Sequence, residues 1–271
     1  MFENLFSNIL LGFIQGITEF IPISSSGHLI ILRDILGMQI PNGFAYDAVL
    51  QLATTLAIFV YFRKDFIKLL KDLYKFIRKQ KLEKDDKRMV QAIIWGTIPA
   101  VVLGLIFESL MATSFRSSLY VAFGLITGGL IMIMSENYYL KLDSIKSINK
   151  KTGLKIGFFQ ALALIPGMSR SGMTISGGLF NKINRDDAIR FSFLLAFPIL
   201  FGSGLKKLVD LIGSGEIIGL GFGLFVGTAT AFIVGILAIH FLISFLKKNT
   251  LRAFAYYRIF LAALIIAIYI V

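Results

Sequence analysis

The chain of 271 residues is 56% hydrophobic and only 16% charged, with a mean hydropathy of +0.78. Soluble domains average roughly 45–50% apolar and about 25% charged residues, so this composition excludes a water-soluble globular protein and is typical of an integral membrane protein. The net charge is +12, and the absence of cysteine excludes disulfides and thiolate metal sites.

Apolar segments of membrane-spanning length alternate along the chain with short basic segments. We predict six transmembrane helices, at 46–62, 89–111, 117–134, 190–212, 219–246 and 253–271. Four connecting segments hold 22 of the 28 basic residues: 63–88, 135–155, 181–190 and 247–252. The positive-inside rule places these four in the cytoplasm. Because the charge follows loop sidedness and forms no single patch, no nucleic-acid partner is expected.

Two further apolar segments, 9–36 and 156–180, are each interrupted near the middle by a polar turn that contains glycine. Non-helical backbone at membrane depth is tolerated only where protein or a water-filled cavity covers it. We therefore predict that each segment is a re-entrant helix-turn-helix hairpin; a simple kinked span is the alternative. The first hairpin should enter from the outer face and the second from the cytoplasm, so that their tips meet near the midplane.

Several motifs recur in the same order in the two halves of the chain. Gly12-Phe-Ile-Gln15 recurs as Gly157-Phe-Phe-Gln160, and in both copies a Ser-x-Ser-Gly motif begins nine residues after the glutamine. Each half then holds one hairpin and three spans, an odd number of crossings. The sequence thus predicts one all-α polytopic membrane domain, 1–271, built from an inverted-topology internal repeat with halves at about 1–140 and 141–271.

The tip of the second hairpin has the composition of a phosphate cradle. Ser169, Ser171 and Thr174 supply hydroxyls, Gly172 leaves backbone amides accessible at a helix start, and Arg170 can bind two phosphate oxygens at once. A lone arginine at membrane depth is costly unless it is paired. A structural alternative is therefore that Arg170 joins helices by pairing with Glu19.

The tip of the first hairpin offers the hydroxyls of Ser24, Ser25 and Ser26, followed by Gly27 and His28. His28 lies three residues after Ser25, so that a Ser-His pair could activate a nucleophile or protonate a leaving group. A hydrogen-bonded packing role is the alternative for the histidine.

Gln15 and Glu19 precede this tip and share one face of the first hairpin helix, because they are four residues apart. Their side-chain oxygens could hold a divalent cation, Mg²⁺ or Ca²⁺. Local pairing of Glu19 is the alternative. Arg258, a basic residue inside the last span, is expected to extend its side chain to the cytoplasmic face.

Taken together, these groups suit hydrolysis of a pyrophosphate, which needs charge compensation, a metal bridge and an acid or nucleophile in line. A substrate that reaches the middle of a helical bundle is most simply a lipid. The rival function is a lipid-phosphate transporter, since inverted repeats with broken helices at the midplane are also a transporter architecture.

The stretches from Gln15 to His28 and from Pro166 to Thr174 resemble the two signature motifs of the bacterial undecaprenyl-pyrophosphate phosphatases of the bacitracin-resistance type. The resemblance implies a bacterial inner-membrane enzyme that hydrolyses undecaprenyl pyrophosphate to undecaprenyl phosphate and inorganic phosphate with a divalent cation. It thereby implies recycling of the lipid carrier for the cell wall and bacitracin resistance, with a pocket open to the outer face.

The same resemblance implies roles for the motif residues. Glu19, Ser25, His28 and Arg170 are expected to be catalytic, and the resemblance implies a pyrophosphate site lined by Ser25, His28, Ser169, Arg170, Ser171 and Thr174. The other residues of the two tips are expected to bind there as well: Ser24, Ser26, Gly27 and Gly172. The family carries Glu or Gln where this chain has Gln15, so Glu19 is left as the one carboxylate of this pair for the metal. Ser25 is expected to attack with His28 as acid or base; attack by water is the alternative. Small-residue helix faces are compatible with packing within the chain or in a homodimer.

Overall fold

The computed structural model describes residues 2–34, 43–107, 117–141, 146–215 and 217–270. These residues are helical apart from turns and one isolated bridge between Lys146 and Ile183. The described part of the chain contains eleven helices: α1 (Phe2–Phe20), α2 (Ser25–Asp34), α3 (Gly43–Tyr61), α4 (Arg63–Ile77), α5 (Lys84–Ile106), α6 (Ser118–Tyr139), α7 (Lys150–Leu162), α8 (Arg170–Phe180), α9 (Arg185–Gly213), α10 (Ile217–Leu246) and α11 (Arg252–Ile270).

Five of the described helices are long and apolar enough to cross a membrane: α5, α6, α9, α11 and the Gly221–Leu246 part of α10. They coincide with five of the six predicted spans and confirm an all-α, multi-pass membrane protein. The remaining predicted span, 46–62, lies on α3, whose apolar stretch Tyr46–Tyr61 is shorter. Residues 108–116, which include the end of the predicted span 89–111, lie outside the described residues.

Both apolar segments that were expected to be interrupted are helix-turn-helix units. α1 ends at Phe20 and α2 begins at Ser25, while α7 ends at Leu162 and α8 begins at Arg170. Each turn contains a proline, Pro22 or Pro166. Proline interrupts the helix because it has no backbone N–H to donate to the preceding turn. Phe20 at the first turn packs edge-on against Phe193 of α9, with ring centroids 5.7 Å apart, so the turns are enclosed by the main apolar core.

The basic segment 63–88 is more ordered than the sequence analysis assumed, because most of it forms α4 and the start of α5. Phe66 and Asp72 are the buried residues of α4. Lys68 pairs with Asp72 at 3.1 Å and also with Asp86 of α5. The charged residues of this segment alternate with apolar residues at helical spacing, so that one face of α4 packs while the other stays charged.

Glycines allow two pairs of long helices to touch backbone to backbone. Gly12 of α1 lies against Gly227 of α10, and Gly157 of α7 lies against Gly96 of α5; in both pairs an added Cβ would overlap the partner's carbonyl group. Removing the side chain permits the close approach on which helix pairs rely in membranes. The small-residue face of α5 at Gly96 is therefore occupied within the chain.

Substituting Gly157 by valine should destabilise the protein, since the new side chain would overlap the Gly96 carbonyl. Forced overpacking costs about 1–3 kcal/mol, which should lower the Tm of the detergent-solubilised protein. Gly213→Val is the control, because no atom lies within 4 Å of a Cβ built there. An equal fall in Tm for both variants would show that the α5–α7 contact is not the cause.

Candidate active site

A cavity of about 640 Å³ lies where the two hairpin tips meet α5 and α9. Its polar lining comes from both hairpins and from the neighbouring helices: Thr18, Glu19, Ser24, Ser25, Ser26, Gln51, Gln160, Ser169, Arg170, Ser203 and Lys206. The apolar lining comes mainly from α5 and α9 and from the turn before α8. Residues that are 151 positions apart in the chain therefore share one site.

An ion pair joins the two hairpins at the cavity. Arg170 Nη2 donates to Glu19 Oε1 at 2.8 Å, and the two side chains are only 11% and 4% exposed. The sequence analysis offered this pair as the structural alternative to a phosphate cradle. The pair leaves Arg170 Nε and Nη1 buried without a hydrogen-bond partner. Glu19 thus fixes the guanidinium through Nη2, and the N–H groups of Nε and Nη1 remain able to donate to an anion.

Glu19 also organises the first hairpin. Its Oε2 accepts hydrogen bonds from Ser25 Oγ at 2.7 Å and from Gln15 Nε2 at 3.0 Å. The i,i+4 spacing of Gln15 and Glu19 on α1 explains their contact. Gln15 acts here as a donor to the carboxylate, and it is not among the described residues that line the cavity.

The two tips have the same backbone geometry. Ser24 and Ser169 precede α2 and α8 with φ of 76° and 66°, in the left-handed region that residues other than glycine rarely adopt. Their hydroxyls accept hydrogen bonds from the N–H groups of Gly27 at 3.4 Å and of Gly172 at 3.3 Å. Each thereby caps the start of its helix at the cavity, where the N-terminal end of the helix dipole favours an anion.

The second serine of each Ser-x-Ser-Gly motif lies beside the first. The Ser24 and Ser26 hydroxyl oxygens are 3.2 Å apart, and those of Ser169 and Ser171 are 3.3 Å apart. Ser26 lines the cavity, whereas Ser171 is buried behind it. The repeated motif thus forms the same turn twice. The two turns line the cavity with Ser24, Ser26 and Ser169, in addition to Ser25.

His28 is turned away from this cavity. Its Nδ1 lies 2.8 Å from the Ser24 carbonyl oxygen and its Nε2 lies 2.8 Å from the hydroxyl of Tyr257 on α11, whose ring is stacked with the imidazole. Both ring nitrogens therefore have partners. The structure brings Glu19, Ser25 and Arg170 together but places the fourth predicted catalytic side chain on the α11 side of the tip.

Thr174, a predicted binding residue, joins helices behind the tip. It donates to the Arg170 carbonyl oxygen at 2.8 Å and its hydroxyl lies 2.5 Å from that of Ser192 on α9. Gly27 and Gly172 contribute the backbone N–H groups described above and do not line the cavity.

The expectation that Arg258 extends to the cytoplasmic face is wrong. Its side chain is 0% exposed, and Nη2 donates to the carbonyl oxygens of Gly167 at 2.7 Å and Gly124 at 3.2 Å. Gly167 lies in the turn before α8 with φ of +92°, so its carbonyl is released from helical hydrogen bonding. Backbone carbonyl oxygens, and not water at the membrane interface, therefore bind this guanidinium. Arg258 thereby stabilises the turn of the second hairpin.

Sequence reasoning missed cavity residues on the surrounding helices. Three polar lining residues were not assigned to the site from the sequence: Gln51, Gln160 and Lys206. Each is a polar residue inside an apolar helix, which is the available signal.

The donors at the cavity fit a divalent cation that shares its coordination with a phosphate. Glu19 is the carboxylate that lines the cavity, and no cluster of three or more acidic, histidine or cysteine side chains occurs among the described residues. Magnesium is commonly held by one or two carboxylates together with substrate phosphates and water, and not by a protein-only cage. A cation here would therefore need the substrate to complete its ligands.

Comparison with known proteins adds independent evidence. The model of the family described as bacitracin resistance protein BacA matches residues 8–264. A protein of Thermobifida fusca named undecaprenyl-diphosphatase is 43% identical over 96% of this chain and 88% of its own length. Proteins of the same name from Trichlorobacter lovleyi and Rubrobacter xylanophilus are 42% and 38% identical, over 92% and 97% of this chain and 92% and 98% of their own lengths.

The family match covers both hairpins and every residue of the cavity described above. Its extent and the level of identity confirm the resemblance seen in the two sequence motifs. The chain belongs to the bacitracin resistance protein BacA family.

Proposed function

We propose that the protein is a membrane diphosphatase that hydrolyses undecaprenyl diphosphate to undecaprenyl phosphate and inorganic phosphate, recycling this lipid carrier for cell-wall synthesis. The observation that carries the proposal is the guanidinium of Arg170, which is buried in the cavity with Nη2 on Glu19 and with Nε and Nη1 unpartnered. A buried, half-paired arginine beside hydroxyls and two helix starts is a site built for a polyanion.

Binding begins with the unpartnered Nε–H and Nη1–H groups of Arg170, each of which can donate to a phosphate oxygen. The starts of α2 and α8 add the positive ends of their dipoles on the two sides of the cavity. Because the ion pair with Glu19 already fixes Arg170, little side-chain entropy is lost when the phosphate binds. These groups also lie where negative charge accumulates as the phosphoryl group is transferred.

The nucleophile that the geometry supports is Ser25. Its hydroxyl donates to Glu19 at 2.7 Å, so Glu19 can accept the proton as Oγ attacks the terminal phosphorus. The Oγ–P bond forms, the bridging P–O bond breaks, and undecaprenyl phosphate leaves. Water then cleaves the phosphoserine and releases inorganic phosphate. Direct attack by water oriented by Glu19 is the competing mechanism, in which Ser25 only positions the substrate.

His28 has a positioning role in this mechanism. Its contacts with Ser24 and Tyr257 connect the first tip to α11, and Glu19 is the group in contact with Ser25. When bound, Mg²⁺ or Ca²⁺ would be held by Glu19 together with the phosphates and would neutralise charge on the phosphoryl oxygens.

The apolar wall of the cavity supports a lipid substrate. Val101 and Leu105 of α5 line the cavity and are 41% and 68% exposed. Gly202 of α9 lines the same wall and has no neighbouring atom within 4 Å of a Cβ position. A prenyl chain whose diphosphate is bound at Arg170 would leave between α5 and α9 into the bilayer.

The proposed topology is six transmembrane helices, with α1–α2 and α7–α8 as re-entrant hairpins in two inverted repeats of a single domain. The crosswise contacts of Gly12 with Gly227 and of Gly157 with Gly96 support it, since the first helix of each hairpin packs on a helix of the opposite half. The basic α4 and the segments near Lys146 and Lys247 would lie in the bacterial cytoplasm, and the cavity would open to the outer face of the inner membrane.

Phosphate release from a polyprenyl diphosphate by the purified protein should require Mg²⁺ or Ca²⁺ and should fall about 10²–10³-fold in Arg170→Ala, the range for loss of one donor to a developing anion. Ser25→Ala should fall comparably if Ser25 is the nucleophile. Arg190→Ala is the matched control, because Arg190 pairs with Asp65 on an exposed surface. A folded wild-type protein that binds the lipid without releasing phosphate would instead be a carrier.

Glu19→Gln should lower stability as well as activity, because it leaves the buried Arg170 without its counter-charge. Breaking a buried ion pair from one side costs about 3–5 kcal/mol, whereas Asp65→Asn opens the more exposed Arg190–Asp65 pair and should cost about 0–1 kcal/mol. Thermal unfolding in one detergent compares the two variants. Equal Tm values would mean that the Arg170–Glu19 pair is not a structural link.

Gly202→Leu should narrow the opening between α5 and α9 and so raise the KM for a long polyprenyl diphosphate more than for farnesyl diphosphate. Gly213→Leu is the control on the same helix, since this glycine also has open space around it but does not line the cavity. Equal effects of Gly202→Leu on both substrates would place the prenyl chain elsewhere.

A further inference from the structure

Gln160 on α7 has a buried side-chain amide whose polar atoms form no hydrogen bond. Its side chain lines the cavity and the residue is only 3% exposed, yet neither Nε2 nor Oε1 has a hydrogen-bond partner. Buried polar atoms in native proteins are nearly always paired, so an orphan group needs an explanation such as a ligand. Gln160 has two such atoms on one side chain.

The internal repeat shows why this amide has no partner. Gln160 occupies the position of Gln15 in the recurring Gly-Phe-x-Gln motif, and Gln15 donates to Glu19, four residues further along α1. Four residues after Gln160 the chain has Leu164, which lines the same cavity. The second copy thus keeps the amide but replaces its carboxylate partner by an apolar residue.

The other orphan donors at the cavity belong to Arg170. The cavity therefore contains N–H donors from the Gln160 amide and from Nε and Nη1 of Arg170 that lack partners. Such a set of donors suits an oxyanion. A purely structural glutamine would be better replaced by an apolar residue, because an unpaired buried amide destabilises the folded protein.

We propose that Gln160 is a substrate-binding residue. Its Nε2 donates to a diphosphate oxygen beside the unpartnered N–H groups of Arg170, and its Oε1 accepts from a water held with the phosphate. This inference rests on the proposed diphosphatase function and adds a contact from the hairpin opposite Glu19. The diphosphate is then held by an amide from α7 and a guanidinium from α8.

The test is Gln160→Met, which keeps the approximate shape of the side chain and removes both polar atoms. Loss of a hydrogen bond to a charged group predicts a KM for farnesyl diphosphate that is about tenfold higher or more. The Tm of the substrate-free protein should stay equal or rise, because the variant removes an unpaired buried amide. Activity and stability should therefore move in opposite directions, which a structural hydrogen bond would not produce.

Two variants provide matched comparisons. Ser176 on α8 is also fully buried with an unpartnered hydroxyl, but it does not line the cavity, so Ser176→Ala should leave the KM unchanged. Gln15→Met removes a glutamine that does have a partner, and it should lower the Tm. A KM for Gln160→Met within about twofold of the wild type, or a fall in its Tm like that of Gln15→Met with KM unchanged, would overturn the inference.

A binding measurement separates this inference from the proposed function. Methylenediphosphonate, which cannot be hydrolysed, should raise the Tm of the wild type and of Ser176→Ala, and should raise that of Gln160→Met less. This readout needs no turnover, so an inactive wild type would refute the phosphatase while the binding comparison still decides the role of Gln160. Equal Tm shifts in all three proteins would overturn the inference even if the enzyme is active.

Discussion

The ion pair between Arg170 and Glu19 is the interaction on which the site depends. Two charges inside a membrane protein are costly to bury, and they persist there only when they are paired and hydrogen-bonded. Glu19 meets that requirement by accepting from Arg170, Ser25 and Gln15. The Glu19 carboxylate thereby fixes the position of the Arg170 guanidinium and the orientation of the Ser25 hydroxyl. It also fixes the distance between the two hairpin turns, which are far apart in the chain.

The remainder of the site is organised around what this pair leaves unfulfilled. Nε and Nη1 of Arg170 and the amide of Gln160 have no hydrogen-bond partner. Ser24 and Ser169, both with positive φ, line the same cavity and cap the starts of α2 and α8. Unpaired donors and strained backbone reduce the stability of a fold and are retained where a ligand compensates for them. Arg258 supports this arrangement from behind by binding the carbonyl of Gly167.

Much of this was predictable from sequence, and the exceptions have physical reasons. Span lengths and the two interrupted segments follow from hydrophobicity and from turn residues such as Pro22 and Pro166, which act locally. The contact between Arg170 and Glu19 was open to two interpretations, because residue types alone do not say that one guanidinium can hold a carboxylate and an anion site together. The orientation of His28 depends on Tyr257, 229 residues away, and no local pattern encodes it.

The crosswise glycine contacts have a consequence for how the protein is made. Helix α1 packs mainly on α10, which begins at Ile217, and α5 packs mainly on α7. During synthesis, the first hairpin is therefore made long before its principal packing partner has left the ribosome. Until then its polar residues, including Glu19, must be sheltered by water, lipid headgroups or the insertion machinery. Assembly of the cavity is thus a late event, which requires helices from the last third of the chain.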